Sequence, residues 1–246
     1  MKAPAADQQR LLVVQQHDSA LQRLAARKAG LPELAQLDTV GKAEQVAGED
    51  LATAQAVVHD IERELTKLED DVTKVETRRE RDKQRLDSGH GQSRELVALQ
   101  QEIEALNRRQ SELEDLQLDV MERLEAARGT VAGLRSGLGE LAFKRGELEQ
   151  AIADQVAAIE AEEATEATAR AEAAAGLDEG LTTLYERLRA KLGGVGAAGL
   201  VQRRCEGCRM ELNPADLDAI RHAEPDVVVR CEECGRILVR GEDSGL

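Results

Sequence analysis

Residues 87–93 read DSGHGQS, and the reading of this stretch decides the fold. Gly89 and Gly91 break a helix, and Ser93 can cap a new one. A heptad repeat lies on either side. Stepping alternately three and four residues from Leu51 meets Leu51, Ala54, Val58, Ile61, Leu65, Leu68, Val72, Val75, Arg79, Asp82 and Leu86. Nine of these eleven are apolar, against 41% of the whole chain. The same stepping from Leu96 to Ile159 visits nineteen positions, of which fifteen are apolar and about eight would be expected from composition. A short glycine loop between two such stripes predicts an antiparallel hairpin with its tip near residues 88–92, each arm burying the other's seam.

The outgoing arm begins with a predicted helix over 7–29, carrying Leu11, Val14, Leu21 and Leu24 on one side. It meets GLPEL, where Gly30 and Pro32 interrupt or bend it. In a hairpin folded near His90, Gly30, Gly41 and Gly48 fall opposite Gly129, Gly133, Gly137, Gly139 and Gly146. Each interior glycine costs about 1 kcal/mol relative to alanine, so both arms are weakest at one level. This predicts a bend near 30–48 and 129–146; the codon bias of a GC-rich genome is the competing explanation. The return arm runs to about Lys191. Leu177, Leu181, Leu184 and Leu188 lie one residue out of phase with the earlier seam, which reads as a stutter or a change of packing partner. KLGGVGAAGL then ends the helix. The expected organisation is a hairpin over 1–192, a small module over 200–241 and a tail over 242–246.

Composition agrees. Of 246 residues 33% are charged and 1% aromatic, with one Phe, one Tyr and no Trp. Long helices give this profile, whereas a globular core of this size normally draws on aromatic side chains. The net charge of −15 gives no long-range attraction to nucleic acid or anionic lipid. No apolar run is long enough to span a membrane and the amino terminus has no secretory pattern. The expectation is a soluble cytoplasmic protein with no membrane partner.

All four cysteines fall in the last fifty residues: Cys205 and Cys208 in CEGC, then Cys231 and Cys234 in CEEC. Two residues between cysteines let both sulfurs face one ion, and four thiolates around zinc give a closed tetrahedral site. A closed site has no place for a catalytic water, so the expected cofactor is one structural Zn2+. Disulfides are disfavoured in a cytoplasm, and a redox dithiol needs one such pair beside a strand–helix unit. Iron shares the spacing, but usually beside aromatic cores, which residues 201–246 lack. GLVQ, VVVR and RILVR read as three short strands. In NPADLDAI, Asn213 caps a short helix, with Pro214 at its first position and Asp216 in its first turn. The fold class is therefore mostly α, a long kinked antiparallel coiled-coil hairpin followed by a small C-terminal β-rich zinc ribbon.

The chain resembles the bacterial C4-type zinc ribbon proteins with a long coiled-coil hairpin, a domain family of unknown function. The resemblance is carried by LLVVQQHDSALQRLAARKAGLPEL, by SRELVALQQEIEALNRRQSELEDLQLDVMERLE after the tip, and above all by the closing CEECGRIL. It implies that Cys205, Cys208, Cys231 and Cys234 hold zinc. Members are linked to RNA binding, to an alternative sigma factor in flagellar regulation and to chaperoning of secretion components. Leu96 stands where the family pattern KEY-x-AL has an aromatic, so a partner docking at the tip would differ here.

Three functions compete. An adaptor would bind a protein partner through hairpin and ribbon, and acidity suits a basic partner. A nucleic-acid (RNA or DNA) binder would use Arg203, Arg204, Arg209, Arg221, Arg230, Arg236 and Arg240 on the ribbon. Against it stand eight acids between 201 and 241, the charge of about −2 on a Zn(Cys)4 centre, and the lack of an aromatic platform for bases. An enzyme has the least support. His17, His59, His90 and His222 are scattered, the carboxylates lie on solvated helix faces, and no phosphate loop or nucleophile motif appears. No small-molecule substrate is expected.

Overall fold

The computed structural model describes all 246 residues. Ten elements follow in order. Helix α1 spans Ala5–Ala29, α2 Pro32–Asp87, α3 Ser93–Ala174 and α4 Glu179–Lys191. Strands β1 (Ala197–Val201) and β2 (Arg204–Cys205) precede α5 (Pro214–His222). Strands β3 (Val229–Arg230) and β4 (Ile237–Arg240) follow, with a closing 3-10 turn over Glu242–Ser244. The chain divides into two compact units, Ala35–Glu149 and Met1–Leu34 with Gln150–Leu246.

The first unit is the hairpin. Helix α2 stops at Asp87, Gly89 takes φ +67 in the turn, and α3 starts at Ser93. Seam residues Ile61, Val120 and Leu124 bury one another, with Val58, Leu65 and Leu68 packed alongside. Across the arms Arg123 pairs with Glu64 at 3.2 Å, Arg128 with Glu62 at 2.7 Å and Arg145 with Glu44 at 3.1 Å. These partners lie further along the return arm than a fold centred on His90 places them. Near the tip the seam turns polar. Arg79 donates to Gln110, Gln110 donates to Glu76 at 3.1 Å, and Asp82 is buried. Gly41, Gly48, Gly129, Gly133, Gly137, Gly139 and Gly146 lie inside uninterrupted helices, and a Cβ at any of them would meet open space.

In the second unit the break between α1 and α2 sits at Gly30–Leu31, with Pro32 at the first helical position. Leu31 is buried there against Leu24 and Ile159. The phase slip near Leu177 is a change of packing partner rather than a stutter, since Leu181 and Leu188 pack with α1 and the small sheet. Helix α3 ends at Ala174, Gly176 takes φ +71, and Asp178 Oδ1 accepts the Leu181 N–H at 2.8 Å to begin α4. Positive φ is a conformation that glycine reaches without steric cost.

The ribbon has four strands, one more than the apolar runs suggest, in the order β2-β1-β4-β3. Strand β1 runs parallel to β4 and antiparallel to β2, and β3 runs antiparallel to β4. Side chains alternate between the faces, as the two-residue period of a strand requires. Ala197, Ile237 and Val239 share one core with Leu11 and Val14 of α1 and Leu181, Tyr185 and Leu188 of α4. Ala198, Leu200 and Leu238 share another with Cys205, Cys231 and the α5 residues Leu217 and Ile220. The amino terminus joins the same body. Ala3 N donates to Asp226 O at 2.8 Å, and Val228 N to Met1 O at 3.1 Å.

Candidate metal centre

The two cysteine pairs form matching turns. Cys205 N donates to Met210 O at 3.0 Å, and Arg209 N returns to Cys205 O at 2.7 Å. In the second turn Cys231 N donates to Arg236 O at 2.9 Å, and Gly235 N to Cys231 O at 2.8 Å. The N–H groups of Cys208 and Gly207 favour the thiolate form of Cys205, and those of Cys234 and Glu233 the thiolate form of Cys231. The fourth residue after each leading cysteine has positive φ, +62 at Arg209 and +73 at Gly235. One turn meets this with glycine; the other places an arginine there.

The four sulfurs lie within 4.8 Å of one another, with Cys205–Cys234 and Cys208–Cys231 both at 3.9 Å. Bonds of about 2.3 Å to a tetrahedral zinc put sulfurs roughly 3.8 Å apart, whereas a disulfide needs about 2 Å. The site fits one zinc ion and no pairing of its thiols. Burial pushes the Cys205 thiol up to about 12, helped by Cys231 and Cys234, against the pull of the Cys208 and Gly207 N–H groups. Burial also pushes Cys231 up. Cys234 goes the other way. Burial raises it, but the N–H and guanidinium of Arg236 and the nearby cysteines bring it down to about 7.

The structure places the ribbon arginines in two groups. Arg240 is clasped by carbonyls at the end of α5: Ala223 at 2.7 Å, Glu224 at 2.8 Å, Val227 at 2.9 Å, Pro225 at 3.0 Å and Ile220 at 3.3 Å. Arg236 Nε donates to Val195 O at 2.9 Å, and Arg230 Nε to Gly235 O at 2.8 Å. Arg203, Arg204, Arg209 and Arg221 are exposed and make no ion pair. Arg203 and its neighbour Gln202 form the β1–β2 turn with φ +68 and +45, held by Gln202 N to Asp243 O at 2.7 Å and Arg203 N to Ser244 O at 2.9 Å.

A second polar cluster escapes the sequence reading. Asp18 of α1, 5% exposed, accepts from Tyr185 Oη at 2.6 Å and Arg170 Nε at 2.7 Å, with Arg189 at 3.5 Å. Gln15 accepts from Gly196 N at 2.8 Å and donates to Gly194 O at 3.1 Å. Burial, then the Asp18 hydrogen bond, raises the Tyr185 hydroxyl well above its ordinary range. The cluster joins α1, α3, α4 and the entry to β1. One signal pointed to it: Asp18 sits seven residues after Leu11 and four after Val14, on the apolar side of α1.

Comparison with known proteins bears on both parts of the chain. Residues 14–193 match the CT398-like coiled coil hairpin domain, and residues 204–238 match the C4-type zinc ribbon domain. The protein Rv2229c of Mycobacterium tuberculosis, itself uncharacterised, is 35% identical over 242 residues, 98% of each chain. A solved Mycobacterium smegmatis structure superposes with a TM-score of 0.87 at 32% identity, over 98% of this chain and 100% of that one. The structure of CT398 from Chlamydia trachomatis gives 0.70 at 20% identity, over 96% and 98%. At that identity it supports the fold alone. No helix is long and apolar enough to cross a membrane.

Proposed function

Because this chain belongs to the family of CT398-like coiled-coil hairpins with a C4-type zinc ribbon, we propose that it is a non-enzymatic cytoplasmic adaptor. It binds a protein partner through hairpin and ribbon, and Cys205, Cys208, Cys231 and Cys234 hold one structural zinc. The zinc supplies cohesion to the ribbon; the residues do no covalent chemistry. One observation carries the adaptor reading. On α3, Leu113, Val120 and Leu124 fill the seam, yet Leu116, Leu118 and Met121 stand 50%, 60% and 50% exposed beside them. Single exposed apolar residues are ordinary, but a group of large ones favours a partner surface. Affinity capture with the full chain should retain a protein partner that Leu118→Glu/Met121→Glu loses. Equal capture by both would remove the hairpin from the interface.

A second reading, RNA contact through the ribbon, draws support from Arg203, Arg204 and Arg209. Two of these are arginines at left-handed positions, which cost an L-residue roughly 1–2 kcal/mol each, and all three point to solvent without a carboxylate. Binding of this kind weakens steeply with salt. The zinc-loaded chain would lose affinity with Arg203→Ala/Arg204→Ala; absence of any polyanion affinity at low salt ends this reading.

A further inference from the structure

Arg236 touches more of the ribbon than its place after the second cysteine pair suggests. Its Nε donates to Val195 O at 2.9 Å and its Nη2 to Leu192 O at 3.2 Å, the carbonyls at and beyond the end of α4. Its aliphatic stem lies across the first cysteine turn. A Cβ on Gly207 would stand 2.6 Å from Arg236 Cδ and 3.0 Å from Ala198 Cβ. Its own carbonyl receives the Cys231 N–H at 2.9 Å, and its N–H and charge favour the thiolate form of Cys234. One residue therefore meets both turns and a helix end.

The charge of Arg236 has no carboxylate partner within 4.0 Å, although the side chain is half-buried. A partly desolvated cation with only carbonyl partners is costly unless negative charge lies near. Four thiolates around zinc carry a net charge of about −2, and Cys234 lies two residues before Arg236 in the same turn. Arginine suits the place because its planar fork offers donors in several directions at once; an ammonium cannot divide itself so.

We propose that Arg236 is the positioning residue of the metal centre: it supplies the counter-charge at Cys234 and fastens the paired cysteine turns to the end of α4. Glycine at 207 is part of the arrangement, because any side chain there would occupy the space of the arginine stem. The proposal rests on the zinc-ligand reading above, and the two can fail separately.

The test is competition of the full-length, zinc-loaded protein with a chromophoric chelator at one fixed pH. Arg236→Met, which keeps the length and removes the charge, should weaken zinc binding roughly 10–100-fold, the usual cost of losing a group that orients a metal ligand. Arg236→Lys should recover only part of that loss, because it restores the charge and not the fork. Arg240→Met, which removes another carbonyl-bonded arginine of the ribbon, should leave zinc affinity unchanged even where it lowers the melting temperature. If Arg236→Met proves insoluble, Gly207→Ala decides, since it displaces the stem and leaves the charge; it should bind zinc more weakly than wild type. Unchanged zinc affinity in Arg236→Met, or in Gly207→Ala where that variant decides, overturns the proposal, as does an equal loss in Arg236→Met and Arg240→Met. A wild-type chain that binds no zinc overturns the underlying ligand reading as well.

Discussion

The hairpin of residues 35–149 and the body formed by residues 1–34 with 150–246 use the same aliphatic residues in opposite ways. In the hairpin, stabilisation is spread thin. Its buried side chains recur one heptad at a time, each touching only near neighbours, and most of its ion pairs are exposed. In the body, Leu11, Leu181, Tyr185, Ile237 and Leu238 are all 0% exposed, gathered around one small sheet with a polar cluster and a metal centre beside it. A repeating seam tolerates loss at any one position. A concentrated core does not.

That contrast can be broken most sharply at Asp18. Removing one partner of a buried charge network costs about 3–5 kcal/mol, because Arg170 and Tyr185 would keep their burial and lose their shared acceptor, left with only Glu186 and Gln15 respectively. Asp18→Ala should lower the unfolding free energy measured by urea titration by that amount, whereas Arg123→Ala on the hairpin, an exposed pair with Glu64, should change it by less than about 1 kcal/mol. Similar losses from both would erase the distinction. A smaller effect of opposite sign is expected from the glycines. Gly133 lies mid-helix with nothing within 4 Å of an added Cβ, so Gly133→Ala should stabilise the chain by about 1 kcal/mol. A destabilised Gly133→Ala, seen as a lower thermal midpoint, would mean that the glycine serves a close contact after all.

The two regions also differ in what could be read ahead of the structure. The hairpin was legible because its partner is another helix, and helix-on-helix packing writes a period into both strands of sequence. The cysteine turns were legible because coordination fixes both residue type and spacing. What stayed hidden depends on distant partners. Asp18 meets Arg170 and Tyr185 from two further helices, and no local pattern marks that meeting apart from a charge on an apolar face. The parallel pairing of Ala197–Leu200 with Ile237–Arg240 joins segments separated by both cysteine turns, so short apolar runs showed strands but not their order. At Ala175–Asp178 the sequence shows a slip of phase that fits either a stutter or a change of packing partner, because a shifted stripe looks the same whether a helix stutters or stops. Gly176 with its positive φ decides for stopping. Arg236 and Arg240, legible only as surface cations, are held by backbone carbonyls instead.

The central claim is that one zinc ion holds the ribbon together and that the hairpin needs none. Hydrogen exchange on the full chain, before and after chelation with the thiols kept reduced, tests it directly. Structural zinc contributes apparent free energy on the order of 10–16 kcal/mol in small modules. Amide protection should therefore collapse across β2, α5 and β3 on chelation, while residues 51–86 and 96–148 keep theirs. Protection lost along the whole chain, or unchanged in the ribbon, would contradict the account.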